Sequence, residues 1–214
     1  MESIIFHSVL PNVFAAEPKV CSEVWLKDIE LRRGEICLVE AESGTGKSTM
    51  CSYLTGFRHD YSGKILFDRQ DINSYTHAKW AQIRCRHISL LFQELRLFPE
   101  LTAMENVEIK NRLTGFLSRK RIEEMFDLLG IGEKRDVRTG KMSFGQQQRV
   151  AMIRALAQPF DFILLDEPVS HLDDKNSQTM ATLIAEEASR QGAGIISTSI
   201  GRHMPLPYNR VLKL

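Results

Sequence analysis

One segment, residues 36–49, reads Ile36-Cys37-Leu38-Val39-Glu40-Ala41-Glu42-Ser43-Gly44-Thr45-Gly46-Lys47-Ser48-Thr49. Its apolar first half predicts a buried strand, its glycines predict a tight turn, and Lys47 to Thr55 predict a helix that stops near Gly56. The backbone N–H groups of such a turn, together with the N-terminus of the following helix, form a site for phosphate groups. We therefore predict a phosphate-binding loop over residues 41–49.

The side chains of this phosphate-binding loop have separate predicted roles. Lys47 would neutralise the β- and γ-phosphates of ATP, and the hydroxyl of Ser48 would bind Mg²⁺. The other predicted nucleotide-binding residues of the loop are Ser43, Gly44, Thr45, Gly46 and Thr49. Ala41 stands where such motifs usually have their first glycine, and alanine fits there only with a negative φ or a slightly altered turn.

A second apolar strand, Phe162 to Leu165, ends in two carboxylates, Asp166 and Glu167. Paired acidic residues at the end of a strand that is buried on both faces are unfavourable unless they bind a cation or transfer a proton. Downstream of a phosphate-binding loop, Asp166 suits magnesium coordination and Glu167 suits a base that orients the attacking water. The two segments together predict a nucleotide-hydrolysing site.

The coarse pattern of elements predicts an α/β fold. Early β-like segments, separated by Pro, Asn and Gly, indicate a small, partly antiparallel sheet. These segments are Ile4 to Val9, Val24 to Leu31, Ile36 to Glu40 and Lys64 to Phe67. Helical periodicity replaces strands from about Gln93 to Lys141, with Ser118 as a helix cap and Gly130 as a helix stop. Strands return at Phe162 and at Gly194 to Ser197 around a helix near residues 176–191, which implies a parallel sheet covered by helices.

The segment Met142-Ser143-Phe144-Gly145-Gln146 has a local and a wider interpretation. Locally, Ser143 and Gln146 predict a capping box for a helix that continues to about Ala157. More widely, the segment resembles the signature motif of ABC ATPases, usually written LSGGQ. Gln93 resembles the Q-loop glutamine of that family, and the stretch at residues 170–173, Ser170-His171-Leu172-Asp173, resembles its D-loop. The resemblance covers nearly the whole chain, and residues 91–107 are similar to the lipoprotein-release, macrolide-export and cell-division branch.

The resemblance implies a fold and a division of the chain. It implies a single ABC ATPase domain over residues 1–214, a P-loop NTPase fold with a RecA-like core, an antiparallel β subdomain and a helical subdomain. The nucleotide-binding core would comprise residues 1–92 and 150–214, and the helical subdomain residues 93–149.

The resemblance also implies a mechanism. ABC subunits form head-to-tail dimers that enclose two ATP molecules, here in a homodimer or a heterodimer. By position, Ser143, Gly145 and Gln146 would face the γ-phosphate of the partner's ATP, and Asp173 would cross the interface. Gln93 would contact the γ-phosphate, Mg²⁺ or the attacking water and transmit that state to an integral membrane permease.

One aromatic residue is a candidate for the adenine site. An aromatic side chain near the N-terminus stacks on adenine in the family, and Phe14 is the candidate here. Trp25 is interpreted as ordinary strand packing.

Two positions depart from the family pattern. Phe144 replaces the first glycine of the signature pair, and Ser199 stands where the family has a histidine after the last core strand. Ser199 would then be the residue at the catalytic switch position, with a shorter reach than imidazole. His203 lies four residues later and would need a loop rearrangement to substitute. We therefore predict that hydrolysis is slow while ATP binding is retained.

Composition is that of an ordinary globular protein, with 43% hydrophobic residues and 28 basic against 27 acidic ones. This balance gives no indication of a nucleic-acid partner. Cys21, Cys37, Cys51 and Cys85 lack the spacing of a zinc site and are interpreted as reduced, mostly buried thiols. Neither a secretory signal nor a run of about 20 apolar residues is present. We therefore expect a cytoplasmic protein, peripheral on the inner face of the cell membrane, whose partner supplies the spans.

Three functions fit these patterns. The first is the energy-coupling subunit of a membrane complex that exports or extracts a lipophilic or peptide-like substrate, and the second is a nucleotide-gated adaptor that signals without transport. A soluble ABC ATPase of DNA repair or translation is disfavoured, because it would usually carry insertions that are absent here. The apolar residues beside Gln93 would form either a groove for a helix of the membrane protein or part of the core. They are Leu95, Leu97, Phe98 and Pro99.

Overall fold

A computed structural model describes residues 1–16, 20–42, 44–169 and 172–214. Its strands are β1 (Ser3–Pro11), β2 (Asp28–Arg32), β3 (Ile36–Glu40), β4 (Tyr61–Phe67), β5 (Gln70–Asp71), β6 (Ile88–Leu91), β7 (Phe162–Asp166), β8 (Gly194–Ser199) and β9 (Arg210–Lys213). Its α-helices are α1 (Lys47–Leu54), α2 (His77–Arg86), α3 (Ala103–Asn111), α4 (Arg119–Leu128), α5 (Phe144–Leu156) and α6 (Asp174–Gln191).

The first sheet is antiparallel and has the strand order β2-β1-β4-β5. Ile4 lies opposite Leu31 on one side and opposite Phe67 on the other, and all three side chains are buried. The strand predicted from Val24 begins only at Asp28. The Ser22 hydroxyl accepts hydrogen bonds from the N–H groups of Val24 and Trp25, at 2.9 and 2.8 Å, which holds this part of the chain in a turn instead of a ladder.

The second sheet has the order β6-β7-β8-β3-β9 and is parallel throughout its pairings. The predicted strand Ile36 to Glu40 lies inside this sheet, between β8 and β9, and not with the front strands among which it was grouped. Strand β7 is buried at every position, because its alternate residues pack on opposite faces. Ile163 and Leu165 pack on the helices, whereas Phe162 and Leu164 face the antiparallel sheet and α1.

The elements from Ala103 to Leu156 are mainly helical, as the periodicity predicts. The Ser118 hydroxyl caps α4 by accepting from the N–H of Arg121, and Gly130 closes that helix with a left-handed φ of 64°. Helix α4 packs its buried Ile122, Met125 and Phe126 into the same hydrophobic cluster as α3 and α5. The assignment of residues 93–149 to a separate helical subdomain remains our proposal.

Gly56 follows the end of α1 at a position that only glycine can occupy. Its φ is 68°, and a Cβ atom at this position would lie 2.4 Å from the Trp80 ring on α2. Only glycine therefore allows the turn after α1 to pack against α2.

Two further predictions concern membrane spans and cysteines. Within the described residues, none of the helices has both the length and the apolar character needed to cross a bilayer. All four cysteines are free thiols; Cys37 and Cys51 are buried, Cys85 is partly exposed and Cys21 is exposed.

Candidate functional site

The candidate site lies at the edge of the parallel sheet where the carboxyl ends of its strands meet. The phosphate-binding loop follows β3, Asp166 and Glu167 end and follow β7, and Ser199 ends β8. Gln93 follows β6 at the same edge. Parallel strands place all these segments together, which is the usual location of ligand sites in such sheets.

The phosphate-binding loop has the backbone that the sequence predicts. Gly44 and Gly46 have φ values of 85° and 105°, a region that residues with a Cβ atom rarely adopt. Ala41 has no positive φ, so alanine is accommodated at the position where a glycine was expected. Helix α1 begins at Lys47, directly after Gly46. Its free N–H groups therefore face the loop. Ser43 lies outside the described residues.

Lys47 is held at the loop by oxygen atoms. Its side chain is 5% exposed, and its Nζ donates to the carbonyl of Glu42 at 2.9 Å. The same Nζ lies 3.6 Å from Oε1 of Glu167. Thr45 stabilises this arrangement, because its hydroxyl donates to the same Glu42 carbonyl at 3.0 Å. These contacts place the ammonium group beside the loop.

Two aromatic rings pack against Gly46. A Cβ atom there would lie 3.1 Å from both Phe14 Cε2 and Trp25 Cζ2. Phe14 belongs to a 3₁₀ turn, Asn12–Phe14, and lines the cleft, and its stacking on adenine stays a prediction. Trp25 is buried outside any strand, and its Nε1 donates to the carbonyl of Thr45 at 3.0 Å. Trp25 therefore fixes the loop, a role that its interpretation as strand packing missed.

Thr198, on β8, bonds the carboxylate of Asp166 and the backbone N–H of Glu167 at the carboxyl end of β7. The register of the sheet places it opposite Asp166. Its hydroxyl donates to Oδ1 of Asp166 at 2.8 Å and accepts from the N–H of Glu167 at 3.2 Å. Sequence analysis missed Thr198, because its partner strand is known only once the strand order is known.

Glu167 adopts a conformation that is uncommon for its residue type. Its φ is 49°, in the left-handed region, and such backbone strain is concentrated at functional sites. Nε2 of Gln93 lies 3.4 Å from Oε2 of Glu167, while Lys47 approaches Oε1 of the same carboxylate. The structure therefore brings together three of the residues predicted from separate motifs.

These groups line a cleft of about 500 Å³. The residues lining it are Val13, Phe14, Gly44, Gly46, Lys47, Ser48, Thr49, Arg58, Gln93, Glu167 and Ile200. Arg58 was not predicted, and no local pattern marks it. Its guanidinium donates to the Thr49 hydroxyl at 3.1 Å and to Oδ1 of Asp60 at 2.9 Å.

Ser199 has a different environment from the other predicted catalytic residues. It is 1% exposed and does not line the cleft, whereas the next residue, Ile200, does. Within the described part of the chain, the Ser199 hydroxyl has no hydrogen-bond partner. A direct contact of Ser199 with a ligand in the cleft would thus require the end of β8 to move.

The signature segment lies away from this cleft in the same chain. The predicted capping box is present: the Ser143 hydroxyl accepts from the Gln146 N–H at 3.4 Å, and the Gln146 side chain accepts from the Ser143 N–H at 3.0 Å. Phe144, the first residue of α5, is 43% exposed. None of the described residues lining the cleft comes from this segment, which includes Gly145.

The D-loop lies partly outside the described residues, which omit Ser170 and His171. Asp173 caps α6, and its carboxylate accepts from the Asn176 N–H at 2.8 Å and from the Asn176 side chain at 2.7 Å. These hydrogen bonds lower the pKa of the Asp173 carboxyl. Arg149 of α5 also donates to the Asn176 side chain, at 3.1 Å, and so connects the signature helix to the start of α6.

The oxygen donors at the cleft suit magnesium chemically. Ser48 is exposed and lines the cleft, whereas Asp166 is buried at the end of β7 and its carboxylate is oriented by Thr198. Hydroxyl and carboxylate oxygens are the protein ligands that Mg²⁺ prefers, usually one or two of them together with phosphate and water. Among the described residues, no group of three or more His, Cys, Asp or Glu residues forms a self-sufficient metal site. Ser48 and Asp166 would therefore hold Mg²⁺ jointly with a bound nucleotide.

Comparisons with known proteins place this geometry in a family. The ABC transporter family model matches residues 27–170. An uncharacterized ABC transporter ATP-binding protein of Mycobacterium tuberculosis is 36% identical over 190 residues, which cover 87% of this chain and 57% of the relative. The macrolide export ATP-binding/permease protein MacB of a Shewanella species is 34% identical over 197 residues, covering 88% of this chain and 29% of MacB.

A solved structure agrees with this match. MJ0796, a bacterial ABC transporter cassette with a dimeric structure, superposes with a TM-score of 0.78 at 28% identity, covering 92% of this chain and 87% of that one. This chain spans 57% of the length of the mycobacterial relative and 29% of MacB. The predicted resemblance and fold are confirmed: the chain belongs to the ABC transporter family and has the fold of its ATP-binding cassette.

Proposed function

We propose that this chain binds and hydrolyses Mg-ATP in the cleft and is the energy-coupling subunit of an ABC membrane complex. The observation that carries this proposal is the approach of Lys47 and Gln93 to the two oxygens of the Glu167 carboxylate. These three side chains come from three motifs separated by up to 120 residues in sequence, on the order of a whole small domain. If the glycine-rich loop at residues 41–49 were only a structural turn, these three side chains would have no reason to lie together.

Each residue then has a role in ATP hydrolysis. The loop N–H groups and Lys47 bind the phosphates, Phe14 packs on adenine, and Mg²⁺, when bound, supplies positive charge to the β- and γ-phosphates. Glu167 orients the attacking water, and Gln93 contacts the γ-phosphate, Mg²⁺ or that water.

Dimer formation follows from the position of the signature segment. Ser143, Gly145 and Gln146 lie outside the cleft of their own chain, so they would act on the ATP of a second subunit. The dimeric structure of MJ0796 supports this arrangement. The second subunit would be either a copy of this chain or a different ATPase chain.

Export or extraction of a lipophilic or peptide-like substrate is the function we propose for the complex. MacB, which combines an ATP-binding part with a permease part, supports a membrane partner for this chain. The cassette would then lie on the inner face of the membrane, where ATP is available.

We further propose that this chain hydrolyses ATP slowly in comparison with other members of its family. Ser199 is buried at the position where the family has a histidine. Phe144, at the start of α5, replaces the first glycine of the family's signature pair. The same two features favour a second candidate function, a nucleotide-gated adaptor that depends on ATP binding and dimerisation without transport.

The test of the proposed function is ATP-dependent dimerisation of the Glu167→Gln variant. This change removes the base but keeps the side-chain volume, so Mg-ATP should accumulate and stabilise a dimer in gel filtration. Glu186→Gln makes the same chemical change at an exposed position of α6, and this variant should elute in gel filtration like the unmodified chain. A Glu167→Gln protein that stays monomeric at high concentration with saturating Mg-ATP would exclude the homodimer, and one that also binds no Mg-ATP would contradict the proposal.

A further inference from the structure

Arg58 is a charged residue of the cleft that the roles proposed above do not include. Among the described residues that line the cleft, Lys47, Arg58 and Glu167 carry charge. Lys47 and Glu167 have roles at the phosphates and at the attacking water. Arg58 belongs to the turn between α1 and β4, at residues 55–60, and its side chain is partly exposed there. A guanidinium in a phosphate-binding cleft suits a phosphate contact, because its planar N–H groups match the geometry of phosphate oxygens.

Two hydrogen bonds connect the turn of Arg58 to both sides of the cleft. Nη1 of Arg58 donates to the Thr49 hydroxyl, in the phosphate-binding loop, at 3.1 Å. The carbonyl of Asp60 accepts from the N–H of Asn12 at 2.9 Å, in the 3₁₀ turn that carries Phe14. In ATP the α-phosphate joins the nucleoside to the β-phosphate, so it would lie between the predicted adenine-stacking residue and the loop. The contacts of Arg58 therefore place it beside this part of the cleft.

Asp60 fixes the direction of the guanidinium. Nε of Arg58 donates to Oδ1 of Asp60 at 2.9 Å, and Nη2 donates to Oδ2. Cζ of Arg58 also lies 5.7 Å from the centre of the Tyr53 ring. The hydrogen bond to Asp60 raises the pKa of Arg58, so the guanidinium stays protonated. Within the described residues, Asp60 and Thr49 use three of the five N–H groups of the guanidinium, which leaves two for a ligand.

The Thr49 hydroxyl is oriented by the same contact. A hydroxyl has one O–H donor and accepts through its lone pairs. Since Arg58 donates to Oγ1 of Thr49, the hydroxyl hydrogen is directed away from the guanidinium. Thr49 lines the cleft, where phosphate oxygens would be strong acceptors for that hydrogen.

We propose that Arg58 binds the α-phosphate of the nucleotide, directly through its two remaining N–H groups and indirectly by orienting the Thr49 hydroxyl toward the same phosphate. This inference rests on the proposed function and adds a recognition residue to its site. ATP and ADP share the α-phosphate, so the contact would favour both nucleotides equally. Arg58 would differ in this respect from Lys47, which is directed to the β- and γ-phosphates.

The alternative is that Arg58 only stabilises the turn at residues 55–60 as the partner of Asp60. The two side chains are 39% and 44% exposed, so the ion pair itself contributes little to stability. The two roles differ in the effect of removing Asp60. A structural pair is lost when either partner is removed, whereas a phosphate-binding guanidinium keeps its charge when Asp60 is neutralised.

Isothermal titration calorimetry of Mg-ATP and Mg-ADP compares the unmodified chain with its variants. Arg58→Gln should bind both nucleotides about tenfold more weakly, because hydrogen bonds to a charged group are lost. Asp60→Asn should stay within about threefold of the unmodified chain. Arg58→Lys keeps the charge and should recover part of the loss. The matched control is Arg32→Gln, which removes an exposed arginine that is also paired with an acid two residues away, Glu30, and it should leave both affinities unchanged.

A sulfur-substituted nucleotide tests whether the contact is made to the α-phosphate. The Rp and Sp forms of ATPαS each replace one non-bridging α-oxygen by sulfur, a weak acceptor, so a contact to one of these oxygens makes the two affinities unequal. Arg58→Gln should bring their ratio closer to one, and Arg32→Gln should not. A less stable turn would weaken both forms equally and leave the ratio unchanged. If Arg58→Gln does not fold, Arg58→Lys provides the same test, because lysine lacks the planar fork.

Four results would overturn the inference. They are equal affinity of folded Arg58→Gln and the unmodified chain, equal losses in Arg58→Gln and Asp60→Asn, a loss confined to Mg-ATP, and an unchanged ratio for the two forms of ATPαS. The second result would assign Arg58 to the turn, and the third would assign it to the γ-phosphate. Absence of Mg-ATP binding by the unmodified chain would refute the proposed function and this inference with it. Binding by the unmodified chain that Arg58→Gln does not change would refute this inference alone.

Discussion

Replacing Thr198 by valine tests whether this residue orients the two carboxylates of the site. Valine has nearly the same shape, but it removes the hydroxyl that bonds Asp166 at 2.8 Å and the Glu167 N–H at 3.2 Å. Thr198 is fully buried, so water cannot easily replace either hydrogen bond. Thr198→Val therefore leaves a carboxylate oxygen and a backbone donor without that partner.

The magnitude follows from the chemistry of the two bonds. A hydrogen bond to a charged group contributes about 1.5–3 kcal/mol and a neutral one about 0.5–1.5 kcal/mol. We expect Thr198→Val to lower the free energy of unfolding by about 2–4 kcal/mol and to reduce the turnover of Mg-ATP, because Asp166 and Glu167 lose their common anchor.

Urea unfolding followed by circular dichroism measures the first effect. Thr198→Ser keeps the hydroxyl and loses one methyl group, so it should cost only about 1 kcal/mol. Thr182→Val, at an exposed position of α6, should stay within about 0.5 kcal/mol of the unmodified chain. A Thr198→Val protein as stable as Thr198→Ser, with unchanged turnover, would refute the reasoning.

Three further predictions concern backbone, thiol and switch positions. Gly56→Ala should destabilise far more than Gly192→Ala, because both have a left-handed φ but only the first new methyl group would meet the Trp80 ring, so equal losses in urea unfolding would contradict the fold. Burial raises the pKa of the Cys37 thiol from 9.0 to about 12, so the folded state retains a proton that the unfolded state loses, and the free energy of unfolding should fall as pH rises from 9 to 12. Cys37→Ala should make that pH dependence less steep without removing it, because burial also raises the pKa of Cys51, Tyr53, Tyr61 and Tyr208; an unchanged slope would count against it. Position 199 is buried outside the cleft, so Ser199→His should raise ATP turnover, by up to about 10²-fold, through an imidazole donor that reaches the cleft when the end of β8 moves; unchanged turnover in a correctly folded variant would argue against slow hydrolysis through this position.

The fold could be predicted from the sequence where local patterns are strong. The loop at residues 41–49, the β7 carboxylates and the capping box of α5 depend on neighbouring residues, and all are present. The order of strands in the parallel sheet is set by contacts between distant segments. Local patterns therefore predicted the strand β3 but not its position between β8 and β9. For the same reason they did not predict the hydrogen bond between Thr198 and Asp166.

The candidate site was predictable in its parts but not in all its neighbours. Lys47, Gln93 and Glu167 carry motifs, whereas Arg58 reaches the cleft only because the turn after α1 folds back toward Thr49. Trp25 lacks a motif as well, and its contact with the loop depends on the turn at Ser22. The burial of Ser199 is likewise a property of the packed sheet and not of its immediate sequence.

Isothermal titration calorimetry of Mg-ATP binding to the unmodified chain and to Lys47→Ala tests the central claim most directly. Lys47 provides the buried ammonium group at the cleft, and losing its charge-assisted hydrogen bonds to phosphate costs at least about 1.5 kcal/mol. The account predicts measurable binding by the unmodified chain, the same affinity for the exposed control Lys64→Ala, and at least about tenfold weaker binding by Lys47→Ala. Equal affinity of folded Lys47→Ala and the unmodified chain, or no binding by either, would contradict it.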